Sequence, residues 1–321
     1  MTVLSCKLMG GLGNQLFQIF ATISLALTTN KIFLFPYSDV LTAGITRHTY
    51  WYTLLDKLFN NTTWSRPEVD NPRIFSLPQI EEKGFEYDEM VAIRVNLEKK
   101  PACLYGYFQS YKYFEKHYET IIQLIGLRLK QEVVREKTTV LCKKKNEEIS
   151  KGNVVLPNES EKEGVWGGSI LQMPNNAVLP TVSLHFRLGD YVLKQSHHPI
   201  MSIKYYMGAL THIIDQLGSD TFRVIYFGEK DDEPTIKICI QILKKKFPYL
   251  EFVKADLEED WEQLLLMSVC THNIIANSSF SWWGAYFNRD PKKIVCYPTR
   301  WFGPALQHDT KDLCPPSWQM I

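Results

Sequence analysis

The amino-acid sequence predicts an α/β protein of two halves, and three observations carry that prediction. From residue 181 onward, short apolar runs rich in β-branched and aromatic residues alternate with longer stretches of helical periodicity. That is the pattern of βαβ units on a parallel sheet covered on both faces. The chain opens on the same theme: an apolar run, a glycine turn, then a long apolar-periodic stretch. Between the two lies KKKNEEISKGNVVLPNESEKEGVWGGSILQMPNN, polar and weakly patterned, a length of unstructured chain uncommon inside a compact domain. It reads as an interdomain connection or surface insertion near 151–178, and divides the chain into residues 1–178 and 179–321.

In order, VLSCKLM is a strand, NQLFQIFATISLALTTN a helix and KIFLFPY a second strand. Residues 45 to about 110 hold many aromatics and prolines and no clean period. PACLYGYF then reads as a strand and YKYFEKHYETIIQLIGLRL as one helix. In the second half the strands are TVSLHF, FRVIYFG, LEFVKA, HNIIAN and KKIVCYP. The helices between them are KYYMGALTHIIDQLG, EPTIKICIQILKKKF, DWEQLLLMSVC and SFSWWGAYFN.

Composition narrows the function. Lys+Arg number 36 against 35 for Asp+Glu, a net charge of +1, so no global field draws nucleic acid or acidic membrane. An anionic ligand must meet a local cluster. The seven cysteines lack CxxC spacing and several sit in apolar runs, which predicts reduced core residues rather than a disulfide framework or zinc site. The stretch LFQIFATISLALTT is too short and polar for a membrane span, and lacks the basic start and cleavage site of a signal peptide. A soluble, cytoplasmic protein is the expectation. A catalytic fragment of a longer parent stays open as the alternative.

MGGLGNQ follows a strand and opens a helix. Gly11 and Gly13 suit a dinucleotide-binding fingerprint, with Asp39 at the distance of a ribose-binding acid, but Leu16 stands where the third glycine belongs. The alternative is a tight turn with Asn14 as helix N-cap.

LHFRLGDY places Arg187 and Asp190 at the carboxyl end of a strand, where open parallel sheets bind ligands. Arginine offers a planar fork suited to phosphate. Asp190 has three possible roles: it can bond Arg187, bond a ligand hydroxyl or take a proton. A local surface pair is the alternative. In NIIANSSFSWWGAYF, Asn277, Ser278 and Ser279 lie where a strand gives way to a helix, whose free N–H groups and dipole favour an anion. Ordinary N-capping is the alternative there. Together the two features suggest a pyrophosphate between them. In FGEKDDEP, Asp231 and Asp232 read as a solvated helix start ahead of a metal pair. His197 and His198 lie in a polar loop without a partner carboxylate, and no metal is assigned to them.

HFRLGDY resembles the H-x-R-x-G-D-Y motif of the α-1,2-fucosyltransferases. GGLGNQLFQ, LYGYFQSYKYF and NSSFSWWGAY resemble three further segments of that family, and all four occur in the family's order along nearly the whole chain. The resemblance implies a GT-B-like architecture, two Rossmann-like domains with a cleft, whose C-terminal domain holds GDP-fucose. By position in the motifs, Arg187 would hold the GDP pyrophosphate, and Asn277, Ser278 and Ser279 would lie on the donor side. His185, the first motif residue, falls there too, with buried structure as its alternative. Asn14 and Gln15 would face the cleft on the acceptor side. The implied reaction is an inverting, metal-independent transfer of L-fucose to a glycan hydroxyl, the 2-OH of a galactose-like residue, with no cofactor. The chain departs from the family at Leu188, where many members carry Arg, and in the length of 151–178. Animal members have an N-terminal membrane anchor, and none is visible in this sequence.

The chemistry of the residues agrees with that expectation. Cleaving a glycosyl phosphate builds negative charge on the leaving group, and a guanidinium with a helix N-terminus stabilises it. Asp190 is the first candidate for the base. A nicotinamide-dependent oxidoreductase and a non-catalytic sugar-binding protein remain the other two classes.

Overall fold

A computed structural model describes residues 2–42, 45–66, 71–150 and 179–321. In chain order the elements are β1 (Val3–Cys6), α1 (Leu12–Thr28), β2 (Ile32–Phe33), β3 (Val40–Leu41), β4 (Arg47–His48), α2 (Asn71–Phe75), β5 (Gln79–Glu81), α3 (Met90–Leu97), β6 (Ala102–Tyr105), α4 (Tyr118–Leu124) and α5 (Leu127–Ser150). There follow β7 (Thr181–His185), α6 (Ile203–Leu217), β8 (Arg223–Phe227), α7 (Glu233–Lys246), β9 (Glu251–Lys254), α8 (Asp260–Ser268), β10 (His272–Ile274), α9 (Ser279–Phe287), β11 (Val295–Tyr297) and β12 (Gln319–Met320).

The chain forms two compact units. One comprises Met1–Lys130 and Gln307–Pro316, the other Gln131–Leu306 and Ser317–Ile321. The division thus falls inside α5, and the polar stretch 151–178, to whose end the sequence assigned the boundary, lies outside the described residues. Each unit is built on a parallel sheet, as expected for a GT-B-like α/β protein.

In unit 1 the strand order is β2-β1-β6-β5, all parallel, with a separate antiparallel ribbon of β3 and β4. Helix α1 is buried from Gln15 to Ala26, which makes it the unit's central helix. It starts on a glycine turn in which Gly10 has φ +76° and Gly11 is the N-cap, without a side-chain cap. Asn14 therefore lies within the first turn and is not the cap. A Cβ on Gly10 would come within 2.5 Å of Asn14 Nδ2, so only glycine fits beneath that amide. Leu16 is fully buried and fills the space a third fingerprint glycine would leave open for close backbone approach.

The single helix expected over 111–129 is broken. Two 3₁₀ turns, Tyr111–Tyr113 and Glu115–His117, precede α4, and Gly126 at φ +63° ends it before α5 begins. Strands β5 and β12 lacked an apolar run and were missed. β5 exists because it pairs in register with β6, and β12 because it pairs with β11.

In unit 2 the order is β12-β11-β10-β7-β8-β9, all parallel. Counted from β7, this is the doubly wound 3-2-1-4-5-6 order of dinucleotide-binding folds. β7 and β8 are buried along their whole length, and α6 packs Tyr205, Tyr206, Ala209, Leu210 and Ile213 beneath them. Gly218, left-handed at φ +59°, terminates α6, and Pro234 in the first turn starts α7. Among the described residues Cys6, Cys103, Cys239, Cys270, Cys296 and Cys314 are free, and all but Cys239 are buried, in line with the reduced core residues the composition predicts. Among the described residues no helix is long and apolar enough to cross a membrane.

Candidate functional site

A doubly wound sheet opens a crevice where the chain leaves two neighbouring strands in opposite directions, at their carboxyl ends. In unit 2 that point lies between β7 and β10, which pair with Leu184 opposite Ile274. Residues 186–193 leave β7 there and residues 275–279 leave β10. The stretches singled out in the sequence, HFRLGDY and NSSFS, are these two exits.

Arg187 is mostly buried, its side chain 15% exposed. Nη2 donates to the Asp190 carboxylate and Nη1 to the Glu229 carboxylate. The guanidinium lies 4.6 Å from the centre of the Tyr191 ring. Lysine would reproduce the charge but not this planar, two-sided attachment. Tyr191 reaches across the switch point, its hydroxyl donating to the Asn277 carbonyl at 3.3 Å, and His198 stacks on its ring at 4.8 Å. Gly189 at φ +40° gives the loop its turn, and its N–H donates to Asp232 Oδ2 at 2.8 Å. Asp231 is exposed, as expected of a solvated helix start. Asp232 is half-buried and carries a structural bond, which the solvated reading overlooked. Among the described residues no three His, Cys, Asp or Glu side chains cluster as metal ligands.

On the β10 side, Ser278 is the N-cap of α9 and accepts from Phe280 N at 3.4 Å, while Ser279 is the first helical residue. The side chain of Asn277 does not cap. Its Nδ2 donates to Pro199 O at 2.9 Å and Trp301 O at 3.0 Å, fastening two loops beside the crevice. Its Oδ1 is buried without a partner. His185 is buried at the end of β7 against Phe280, ring centres 5.6 Å apart. Burial, aided by Arg187, pushes its pKa down to about 3, so the ring is neutral, and its Nδ1 also lacks a partner. Two unpartnered buried polar atoms at adjacent strand ends are unusual in a structure without function there.

In unit 1 the central strands β1 and β6 are parallel neighbours, with Cys6 opposite Leu104 at their carboxyl ends. Asn14, after β1, accepts at Oδ1 from Gln109 Nε2, after β6, at 2.8 Å. Gln15 is buried, and its Nε2 donates to Gly10 O at 3.0 Å and to His48 O at 2.8 Å, tying the ribbon of β3 and β4 to the glycine turn. The turn that presents Gln109 is strained: Gly106 has φ +155° and Phe108, not a glycine, has φ +53°. Glu82 holds it, Oε2 accepting from Phe108 N at 2.8 Å and Tyr107 N at 3.1 Å. Burial pushes the Glu82 carboxyl up to about 7.

The sequence reading missed Glu229, Tyr191, Gln109 and Glu82, and weighed Asp232 only as a solvated helix start or a metal ligand, not as the partner of the Gly189 N–H. Tyr191 and Gln109 lie inside the quoted motifs, a signal that was at hand. The three acids carry none, since their partners lie more than 20 residues away.

Residues 168–319 match the family described as glycosyl transferase family 11. The chain is 24% identical to the alpha-1,2-colitosyltransferase of Escherichia coli over 338 aligned positions, covering 100% of this chain and 99% of that protein. It is 28% identical to the O-antigen biosynthesis glycosyltransferase WbnK of Escherichia coli over 225 residues, 69% of this chain and 61% of WbnK. Among solved structures, the Escherichia coli ADP-heptose LPS heptosyltransferase II aligns with a TM-score of 0.46 at 10% identity, over 100% of this chain and 90% of that one.

Proposed function

We propose that this chain, whose residues 168–319 match glycosyl transferase family 11, transfers L-fucose from GDP-β-L-fucose to a hydroxyl of a glycan acceptor, the 2-OH of a galactose-like residue. The observation that supports this most is the pairing, at one switch point, of the Arg187 fork with the N-terminus of α9. Both favour an anion at the carboxyl edge of the sheet. The GDP pyrophosphate fits that pair.

In the proposed reaction the acceptor oxygen bonds to the anomeric carbon from the face opposite the phosphate, and the configuration inverts. The bond from that carbon to the phosphate oxygen breaks, and its electron pair stays on GDP. Arg187 and the α9 N–H groups meet the charge as it develops, without a metal. Asp190, held beside Arg187, takes the hydroxyl proton. His185 and the Asn277–Ser279 segment line the donor side, and Asn14 and Gln15 belong to the acceptor side.

Release of free sugar from GDP-fucose, GDP-colitose and UDP-galactose, followed by transfer to galactosides, tests the reading, with Arg187→Ala as the control. GDP-fucose is expected to be the best donor, and Arg187→Ala to lower kcat/KM by at least about 10-fold, the factor for 1.4 kcal/mol. Near wild-type transfer by a folded Arg187→Ala variant would place the pyrophosphate elsewhere. A preference for GDP-colitose would keep the mechanism and change the sugar.

A further inference from the structure

Asp39, which the sequence reading weighed as a ribose-binding acid, belongs to a different feature. Its Oδ1 accepts from the Tyr37 hydroxyl at 2.8 Å, and that hydroxyl lies 2.6 Å from the hydroxyl of Tyr52. Tyr37 has one proton, so donating it to Asp39 makes Tyr52 the donor in the second bond. Around this polar line stand four aromatic rings. Tyr37 lies 5.1 Å from Trp64 and 5.9 Å from Phe59, and Tyr52 lies 5.3 Å from Phe59, centre to centre. Trp64 and Tyr52 are each 64% exposed.

The platform is fixed from below. Phe35 bridges Thr62, its N–H donates to Asn61 O, and it accepts from Thr63 N at 3.0 Å. Tyr37 N donates to Thr63 Oγ1 at 2.9 Å, and Phe35 packs on the buried Trp51. Large exposed aromatics gathered into one patch mark a binding surface, whereas single ones do not. The chemistry of the patch selects the occupant. A protein face covering it would strip water from the Asp39 carboxylate and the Tyr37–Tyr52 hydroxyls without returning hydrogen bonds, at a cost in free energy. A pyranose ring has an apolar C–H face for the indole and phenol rings and a rim of hydroxyls that donate to Asp39 and Tyr52.

We infer that Tyr37, Asp39, Tyr52, Phe59 and Trp64 form an oligosaccharide-binding platform on unit 1, which takes sugar residues of the glycan acceptor beyond the one that is modified. The assignment of the bound chain as acceptor rests on the transferase reading; the platform itself does not.

The test is calorimetric titration with lactose and with the tetrasaccharide lacto-N-neotetraose, on the wild-type chain, Trp64→Ala/Tyr52→Ala and Tyr37→Phe. The wild type is expected to bind the tetrasaccharide at least about 10-fold more tightly than lactose, equivalent to 1.4 kcal/mol. The double variant should lose that gain, with circular dichroism and GDP affinity unchanged. Tyr37→Phe keeps every ring and should lose only part of it. In transfer assays the tetrasaccharide KM of the double variant should rise toward that of lactose, with kcat moving less. Wild-type tetrasaccharide affinity in the double variant, or no gain with chain length in the wild type, overturns the inference. So does light scattering that shows the patch mutations dissolving a dimer, since the occupant is then a second copy. If no donor and acceptor react at all, the transferase reading fails, and the titration still decides the platform.

Discussion

The backbone N–H of Gly189 donates to Asp232 Oδ2 at 2.8 Å, joining the loop after β7 to the turn after β8. A Cβ on Gly189 would meet the Glu229 carboxylate at 2.9 Å and Arg187 Nη1 at 3.0 Å. The glycine is thus what lets the loop close over the arginine, and Asp232 is what keeps it closed. Asp232→Ala leaves that N–H without its acceptor, a loss of roughly 1–3 kcal/mol. GDP affinity should fall about 10-fold, and Asp232→Asn, which retains an acceptor oxygen, should recover most of it. Equal losses in both variants would mean that the charge, not the bond, matters.

The two carboxylates on Arg187 should behave differently. Asp190→Asn is expected to cut kcat by about 100-fold, the scale of a lost general base, with GDP affinity nearly intact. A parallel fall in GDP affinity would make Asp190 a donor-positioning residue. The Glu229 side chain is 59% exposed and pairs with Arg187 Nη1, so in the proposed site it would compete with the donor phosphate for the fork. Glu229→Gln removes one repulsion of about 1 kcal/mol in a watery setting, so GDP should bind roughly fivefold more tightly.

Transfer should persist in excess EDTA, because Arg187 and the α9 terminus supply positive charge at the switch point and Asp232 is engaged by Gly189. Loss of activity with EDTA and its return with Mn²⁺ or Mg²⁺ would make Asp231 and Asp232 ligands after all.

Glu82 predicts a pH dependence of stability. Burial raises its carboxyl from an ordinary 4.5 to about 7, so the folded chain holds a proton that the unfolded chain has released. Between those values unfolding releases a proton, and stability falls as pH rises from about 4.5 to 7. At 1.36 kcal/mol per unit the full effect is about 3 kcal/mol, the loss being complete above pH 7. Relative to wild type, Glu82→Gln should therefore gain melting temperature from pH 5 to pH 8. A constant difference across that range would show that Glu82 does not titrate there.

The sequence by itself determined the local elements and the chemistry-bearing stretches. Periods of 2 and 3.6 residues arise from backbone geometry within a few residues, so β7 to β11 and the helices between them were legible, as were Arg187 and Asp190 on one loop. β5 and β12 were not, because their existence depends on a neighbouring strand and not on their own residues. Tertiary structure decided the site. Only the strand order places β7 beside β10, with Val182 opposite His272, and so sets the α9 terminus next to Arg187. It alone brings Glu229 and Asp232 to the Arg187 loop, Gln109 to Asn14, and Tyr52 and Trp64 to Tyr37. Hydrogen bonds and ring contacts form between groups brought close in space, and chain spacing encodes that proximity only where the partners lie within a turn of each other.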